Sequence, residues 1–191
     1  MTKTRLETFS DGVIAIIITI MVLEMRAPHG DTLATLRPLI PVFTCYVLSF
    51  VFIGIYWNNH HHMLHAAQHV SGRILWANLH LLFWLSLVPF VTGWMGENYF
   101  AAWPVALYGV VMLMAAIAYT LLAGALVRRH GHESALARAL GRDRKGKISL
   151  GAYVLAIPSA FLSPWLALSL YFAVAAMWLI PDRRIERTLA T

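Results

Sequence analysis

Long apolar stretches alternate with short polar segments along the chain. Several of these stretches reach about 20 residues, and a helix of that length crosses about 30 Å of hydrocarbon. The pattern therefore predicts an all-α membrane protein with six transmembrane helices in one domain. The predicted spans are residues 4–25, 38–59, 72–95, 99–128, 146–162 and 165–180.

Two local signals refine these helices. Thr4 and Glu7 fit a capping box, so the first helix is expected to begin before its apolar stretch. Pro89 and Pro158 lie inside predicted spans. A proline inside a helix removes a backbone hydrogen bond, so we expect a kink at each of these two positions.

The composition agrees with a membrane protein. Apolar residues make up 59% of the chain and charged residues 13%, about half the charged share of a soluble domain. So few charges cannot cover the surface of a domain in water. The single cysteine, Cys45, excludes an intrachain disulfide and a cysteine-based metal site.

The basic residues are distributed unevenly between the two sides of the predicted membrane domain. With six spans both chain ends lie on one side, which then carries thirteen of the 15 Lys and Arg residues; the other side keeps only Arg26 and Arg37. The positive-inside rule therefore predicts cytoplasmic termini and a multi-pass protein of the cell (inner) membrane. This topology accounts for the net charge of +6 without a nucleic-acid partner.

The first predicted helix is unusual for a lipid-facing span. Its uncharged part, Gly12 to Leu23, is twelve residues long, about 18 Å as a helix and too short to cross alone. Asp11 is therefore expected within or near membrane depth, where an ionisable group faces protein or water and usually marks function.

One face of the same helix combines large aliphatic residues with a single hydroxyl. Ile16, Thr19, Ile20 and Leu23 follow the spacing i, i+3, i+4, i+7. Periodicity alone leaves three interpretations open for this face: contact with lipid, a buried core, or a hydrophobic constriction.

Three short motifs resemble a known channel family. Residues 5–11, RLETFSD, match the pattern R-x-x-x-F-S-D, and residues 57–61, WNNHH, match W-x-x-H-H. Asn78 and residues 86–90, SLVPF, are similar to the family's third span. The family is that of transmembrane protein 175, the endolysosomal and bacterial potassium channels, and six spans in one repeat is its bacterial form.

The resemblance implies a homotetramer in which four copies of the first helix line a central pore. The positions that match the family's pore face are Ile16, Thr19 and Leu23. The implied function is a potassium-permeable, modestly selective channel for monovalent cations, with a narrow apolar ring in place of a carbonyl filter. The resemblance also implies a polar network that fixes the pore helix, which we call the anchoring network: Arg5, Phe9, Ser10 and Asp11, with Trp57, Asn58 and His61 as partners.

A cluster of histidines follows the second span: His60, His61, His62, His65 and His69. His61 and His65 stand one helical turn apart, a spacing at which two histidines can share a zinc ion. Solvated or structural histidines, a pH sensor and a metal site all fit this pattern. The alternative function is therefore a small metal-ion or proton transporter that uses the His60–His69 segment, and a non-conducting membrane scaffold is a third possibility.

No enzyme motif accompanies these features. The chain lacks G-x-S-x-G, H-E-x-x-H, a phosphate-binding loop and G-x-G-x-x-G. The sequence therefore predicts a protein that is not an enzyme and that needs no cofactor or resident metal.

Overall fold

The structure, a computed structural model, describes residues 2–67, 69–130 and 143–179. In these residues the chain is almost entirely helical, and no strand is present. The α-helices are α1 (Lys3–Leu23), α2 (Ile40–His65), α3 (Gly72–Ser86), α4 (Val88–Glu97), α5 (Ala102–His130), α6 (Arg144–Leu162) and α7 (Pro164–Leu179), and a short 3-10 helix, Leu33–Leu39, leads into α2.

Four helical segments are long and apolar enough to cross a membrane. They are Lys3–Leu23, Leu33–His65, Gly72–Glu97 and Ala102–Arg129. These segments confirm an all-helical, multi-pass membrane protein. α6 and α7 lie where the fifth and sixth spans are predicted, with 19 and 16 residues respectively, and a total of six crossings stays a prediction.

The third predicted span is divided into α3 and α4 at Leu87. Pro89 follows as the second residue of α4, a position where the missing backbone N–H has no helical partner to lose. Hydrogen bonds made by Ser49 of α2 connect that helix to α4 and α5. The Ser49 Oγ lies 2.7 Å from Thr92 Oγ1 of α4 and 3.1 Å from the Tyr108 hydroxyl of α5.

The predicted capping box at the start of α1 is wrong. The helix begins at Lys3, with Thr2 as its N-cap, so Thr4 lies inside the first turn. The first turn is held to α2 instead, because Lys3 Nζ donates to the His65 carbonyl at 2.8 Å. The expectation that α1 begins before its apolar stretch is nevertheless confirmed.

The buried core runs through all seven helices. α1 packs against α2, α3 and α4, while α5 packs mainly against α3 and α6. Small side chains, among them Ala118 of α5 and Ala156 of α6, are fully buried and let neighbouring helices approach closely. α1 therefore lies at one side of the subunit, in contact with three helices and free on its remaining face.

Candidate pore helix and its anchoring network

α1 has one face inside the subunit. Leu6, Ser10, Ile14, Ile17 and Met21 are all buried. Their spacing of three or four residues places them along a single stripe of the helix. This stripe faces α2, α3 and α4, so the position of α1 is fixed by packing along its whole length.

The opposite stripe of α1 is uncovered in the single subunit. Gly12, Ile16, Thr19 and Leu23 are exposed, and the exposed fractions of the Ile16 and Leu23 side chains are 60% and 73%. Asp11, one residue before Gly12, is also exposed, but it lies about 100° around the helix axis from Gly12. Thr19 Oγ1 donates to the Ala15 carbonyl at 2.9 Å, which leaves the lone pairs of the hydroxyl oxygen free. The three predicted pore positions therefore share one free face.

Three predicted members of the anchoring network contact one another. Trp57 Nε1 of α2 donates to Asp11 Oδ1 of α1 at 3.0 Å. The Trp57 ring stacks on the His61 ring with a centroid distance of 6.1 Å. An indole N–H is a donor only, so it suits a carboxylate, and this bond ties the beginning of α1 to the end of α2.

A second, buried chain of hydrogen bonds passes through Ser10. Asn78 Nδ2 of α3 donates to Ser10 Oγ at 3.0 Å, and Asn78 Oδ1 lies 2.7 Å from His60 Nε2 of α2. Ser10 Oγ donates in turn to the Leu6 carbonyl at 2.8 Å. With the Asn78 amide so oriented, His60 must carry its proton on Nε2 and donate it. The chain joins α1, α2 and α3 and satisfies each of these polar groups.

The remaining predicted members are not drawn together. Arg5, Phe9 and Asn58 are exposed, and none of their side chains has a hydrogen bond or ion pair with another described residue. They lie at the same end of the subunit as the Trp57–Asp11 bond. Their part in the anchoring network stays a prediction.

His60 and Asn78 are the two hydrogen-bonded residues that the predicted network omits. Both are almost completely buried. A signal existed for each, since Asn78 is an amide inside an apolar span and His60 belongs to the W-x-x-H-H motif. Adjacent residues on a helix point about 100° apart, and the motif does not tell which of its two histidines faces protein.

The other histidines lie mostly outside the core. His61 and His65 are exposed, and their rings stack at a centroid distance of 6.0 Å. Among the residues that the structure describes, no three His, Cys, Asp or Glu side chains are grouped closely enough to hold a metal ion. In the described part of the chain, the histidine segment therefore offers at most two ligands for one metal ion.

The other end of α1 opens into an acidic cavity of about 490 Å³. Glu24 directly follows α1, and Glu97 ends α4. Partial burial, and then the neighbouring charge of Glu97, raise the pKa of the Glu24 carboxyl. Leu23 and Arg26 also line this cavity. Charged residues therefore lie next to both ends of the exposed stripe of α1.

Comparison with known proteins identifies relatives of the chain. The sequence profile of a family described as "Endosomal/lysosomal potassium channel TMEM175" matches residues 5–89. A protein of Chryseobacterium described as a potassium channel is 53% identical over 189 residues, which is 99% of this chain and 98% of that one. A potassium channel of Streptomyces collinus is 31% identical over 185 residues, covering 90% and 88% of the two chains.

A solved structure has the same fold. It is the crystal structure of a "lysosomal potassium-selective channel TMEM175 homolog" from Chamaesiphon minutus, with a TM-score of 0.80 and 27% sequence identity. The match covers 93% of this chain and 96% of that one. Sequence identity over nearly the whole length and a shared helical architecture lead to one conclusion: the chain belongs to the TMEM175 channel family.

Proposed function

We propose that four copies of this chain assemble around a central pore lined by α1 and conduct potassium and other monovalent cations with modest selectivity. The bacterial relatives are described as potassium channels, and the related solved structure as that of a potassium-selective channel homolog. The proposed setting is the cell (inner) membrane, with both termini in the cytoplasm, as the distribution of Lys and Arg favours.

The observation that carries this proposal is the free stripe on α1. Gly12, Ile16, Thr19 and Leu23 are separated by four, three and four residues, the spacing of a seam between helices that pack around an axis. The Asp11 carboxylate, which accepts from Trp57, lies one residue before this stripe begins, and an ionisable group near membrane depth usually faces protein or water rather than lipid. In the proposed assembly, copies of α1 would cover the apolar residues of the stripe, and a water-filled path would hydrate its polar residues.

The proposed pore face also suggests how ions are selected. Rings of Ile16 and Leu23 would form apolar constrictions, which an ion enters only after losing part of its hydration shell. Potassium gives up water more readily than sodium, so such a ring favours it without a filter of backbone carbonyls. The Thr19 hydroxyls, which keep free lone pairs, would replace some of the lost water.

Potassium flux into liposomes tests the proposal. Leu23→Ala and Ile16→Asn should each raise the flux of sodium relative to potassium, because a wider or more polar ring demands less dehydration. Leu166→Ala is the matched control, since Leu166 is also an exposed aliphatic residue but lies on α7. If the two α1 variants and the control all conduct as the parent does, α1 does not form the constriction.

The same assay separates the transporter alternative. The stacked His61 and His65 rings are the feature that favours it. A transporter of metal ions or protons would saturate at low ion concentration, couple to an imposed gradient and lose activity in His61→Ala. A channel should pass potassium down its gradient without coupling, and a scaffold would pass no ions.

A further inference from the structure

A second cavity lies away from α1, between α2, α5, α6 and the end of α7. Its free volume is about 40 Å³, roughly the space of three water molecules. Aromatic side chains form much of its wall: Phe52, Tyr56, Tyr119, Tyr153 and Trp178. We call this cavity the aromatic cleft, and Asp143 is the one charged residue among the described residues that line it.

Three tyrosine hydroxyls in the aromatic cleft lack a hydrogen-bond partner among the described residues. They belong to Tyr56, Tyr119 and Tyr153, and the Tyr153 side chain as a whole is 98% buried, with 2% exposed. No fully enclosed polar side-chain atom in the described part of the chain is unpaired. Each of the three hydroxyls therefore keeps some exposed surface, and since all three residues line the cleft, a guest there could satisfy them.

The charge and the rings of the cleft both favour a cation. Asp143 Oδ1 accepts the Gly146 N–H at 2.7 Å as the N-cap of α6, and a carboxylate has further lone pairs to offer. Lys145 Nζ already lies 5.7 Å from the centroid of the Trp178 ring, so this ring accepts a cation. The rings of Tyr56 and Tyr119 line the same cleft.

We propose that the aromatic cleft binds the ammonium group of an organic amine. The ammonium N–H groups would donate to the Asp143 carboxylate and to the tyrosine hydroxyl oxygens, while the aromatic faces attract its positive charge. A neutral apolar guest would leave the hydroxyls unpaired, and an anion would be repelled by Asp143. Two sources supply this chemistry, the ethanolamine headgroup of a phospholipid and a soluble alkylamine.

Ligand-observed NMR titration of the purified full-length protein tests binding. Butylammonium is the probe, butanol its neutral counterpart and butyrate its anionic one. Butylammonium should bind saturably, and Asp143→Asn should weaken it about tenfold or more, the effect of losing a charged hydrogen-bond partner. Asparagine caps helices as well as aspartate does, so α6 should keep its first turn in this variant.

Two further variants test whether butylammonium binds in the aromatic cleft or is attracted by any carboxylate of the protein. Tyr153→Phe removes one buried hydroxyl and should weaken butylammonium binding by about three- to tenfold. Asp31→Asn removes an exposed carboxylate in the loop before α2 and should change nothing. Equal binding of butanol and butylammonium, unchanged binding in Asp143→Asn, or no saturable binding would each overturn the proposal.

Native mass spectrometry distinguishes the two sources. The protein is released from vesicles that contain phosphatidylethanolamine and phosphatidylglycerol in equal amounts. Selective retention of phosphatidylethanolamine, lost in Asp143→Asn and displaced by butylammonium, would identify the lipid headgroup as the ligand. Butylammonium binding without such retention would identify a soluble amine, and the absence of both would refute the site.

Discussion

At the residue scale, Asn78 holds the beginning of α1 in place. Its amide donates to Ser10 of α1 and accepts from His60 of α2. In the interior of a membrane protein no water replaces a lost partner, so each of these bonds matters for the packing of three helices. The sequence showed that polar groups gather at this end of α1, but only the packing of α2 and of α3 against α1 shows which of them meet.

Replacing Asn78 tests this central position. Asn78→Leu keeps the branching of the side chain but leaves the His60 donor buried and unpaired, a cost of about 1–3 kcal/mol. We expect a lower melting temperature of the purified protein in detergent. Asn98→Leu is the control, because Asn98 is exposed and its side chain bonds only to the nearby Trp94 carbonyl. Equal melting temperatures for the two variants would contradict the role of Asn78.

The bond between Trp57 and Asp11 gives a second prediction. Asp11→Ala removes the acceptor, whereas Asp11→Asn keeps a carbonyl oxygen for Trp57 Nε1. Trp57→Phe removes the donor but keeps a ring against His61. Because hydrogen bonds to charged groups contribute roughly 1.5–3 kcal/mol, Asp11→Ala should disturb assembly or gating most and Asp11→Asn least. Light scattering gives the subunit count and liposome flux the activity, and an Asp11→Ala tetramer with normal currents would refute the prediction.

At the element scale, the hydrophobic pattern predicted the positions of the helices along the chain well. It predicted their ends and their faces less well. The four long helical segments overlap the first four predicted spans, because each contains a continuous apolar stretch, but Leu33–His65 begins five residues before the predicted span 38–59 and ends six residues after it. The break at Leu87 was signalled by Pro89, whereas α6 continues through Pro158. The capping box failed because the start of α1 is held by contacts with α2, which local sequence cannot show.

Glu24, which follows the end of α1, gives a prediction about how the stability of the protein depends on pH. The folded protein raises the pKa of Glu24 above its ordinary value of 4.5, so it binds this proton more tightly than the unfolded chain does. Stability should therefore fall as the pH rises from about 4.5 towards the raised pKa. Glu24→Gln should remove this part of the pH dependence of the melting temperature. Asp31→Asn serves as the control, and a slope in Glu24→Gln equal to that of the parent would contradict the assignment.

At the scale of the whole molecule, the composition correctly indicated a membrane protein, and the motifs correctly indicated its family. Membership of a channel family also confirms that the chain is not an enzyme. A single chain leaves the stripe of Ile16, Thr19 and Leu23 open, and the proposed tetramer would cover it with other copies of α1. The pore, the tetramer and the orientation in the membrane are properties of the assembly, and they remain proposals that one chain's packing supports.

The most direct test is an electron cryo-microscopy map of the purified protein in lipid nanodiscs. We expect a fourfold assembly with α1 next to the axis and with the Ile16, Thr19 and Leu23 side chains of every subunit directed towards it. The Trp57–Asp11 bond should be present in each subunit. An assembly without a central axis, or one in which these three side chains contact acyl chains, would contradict the account.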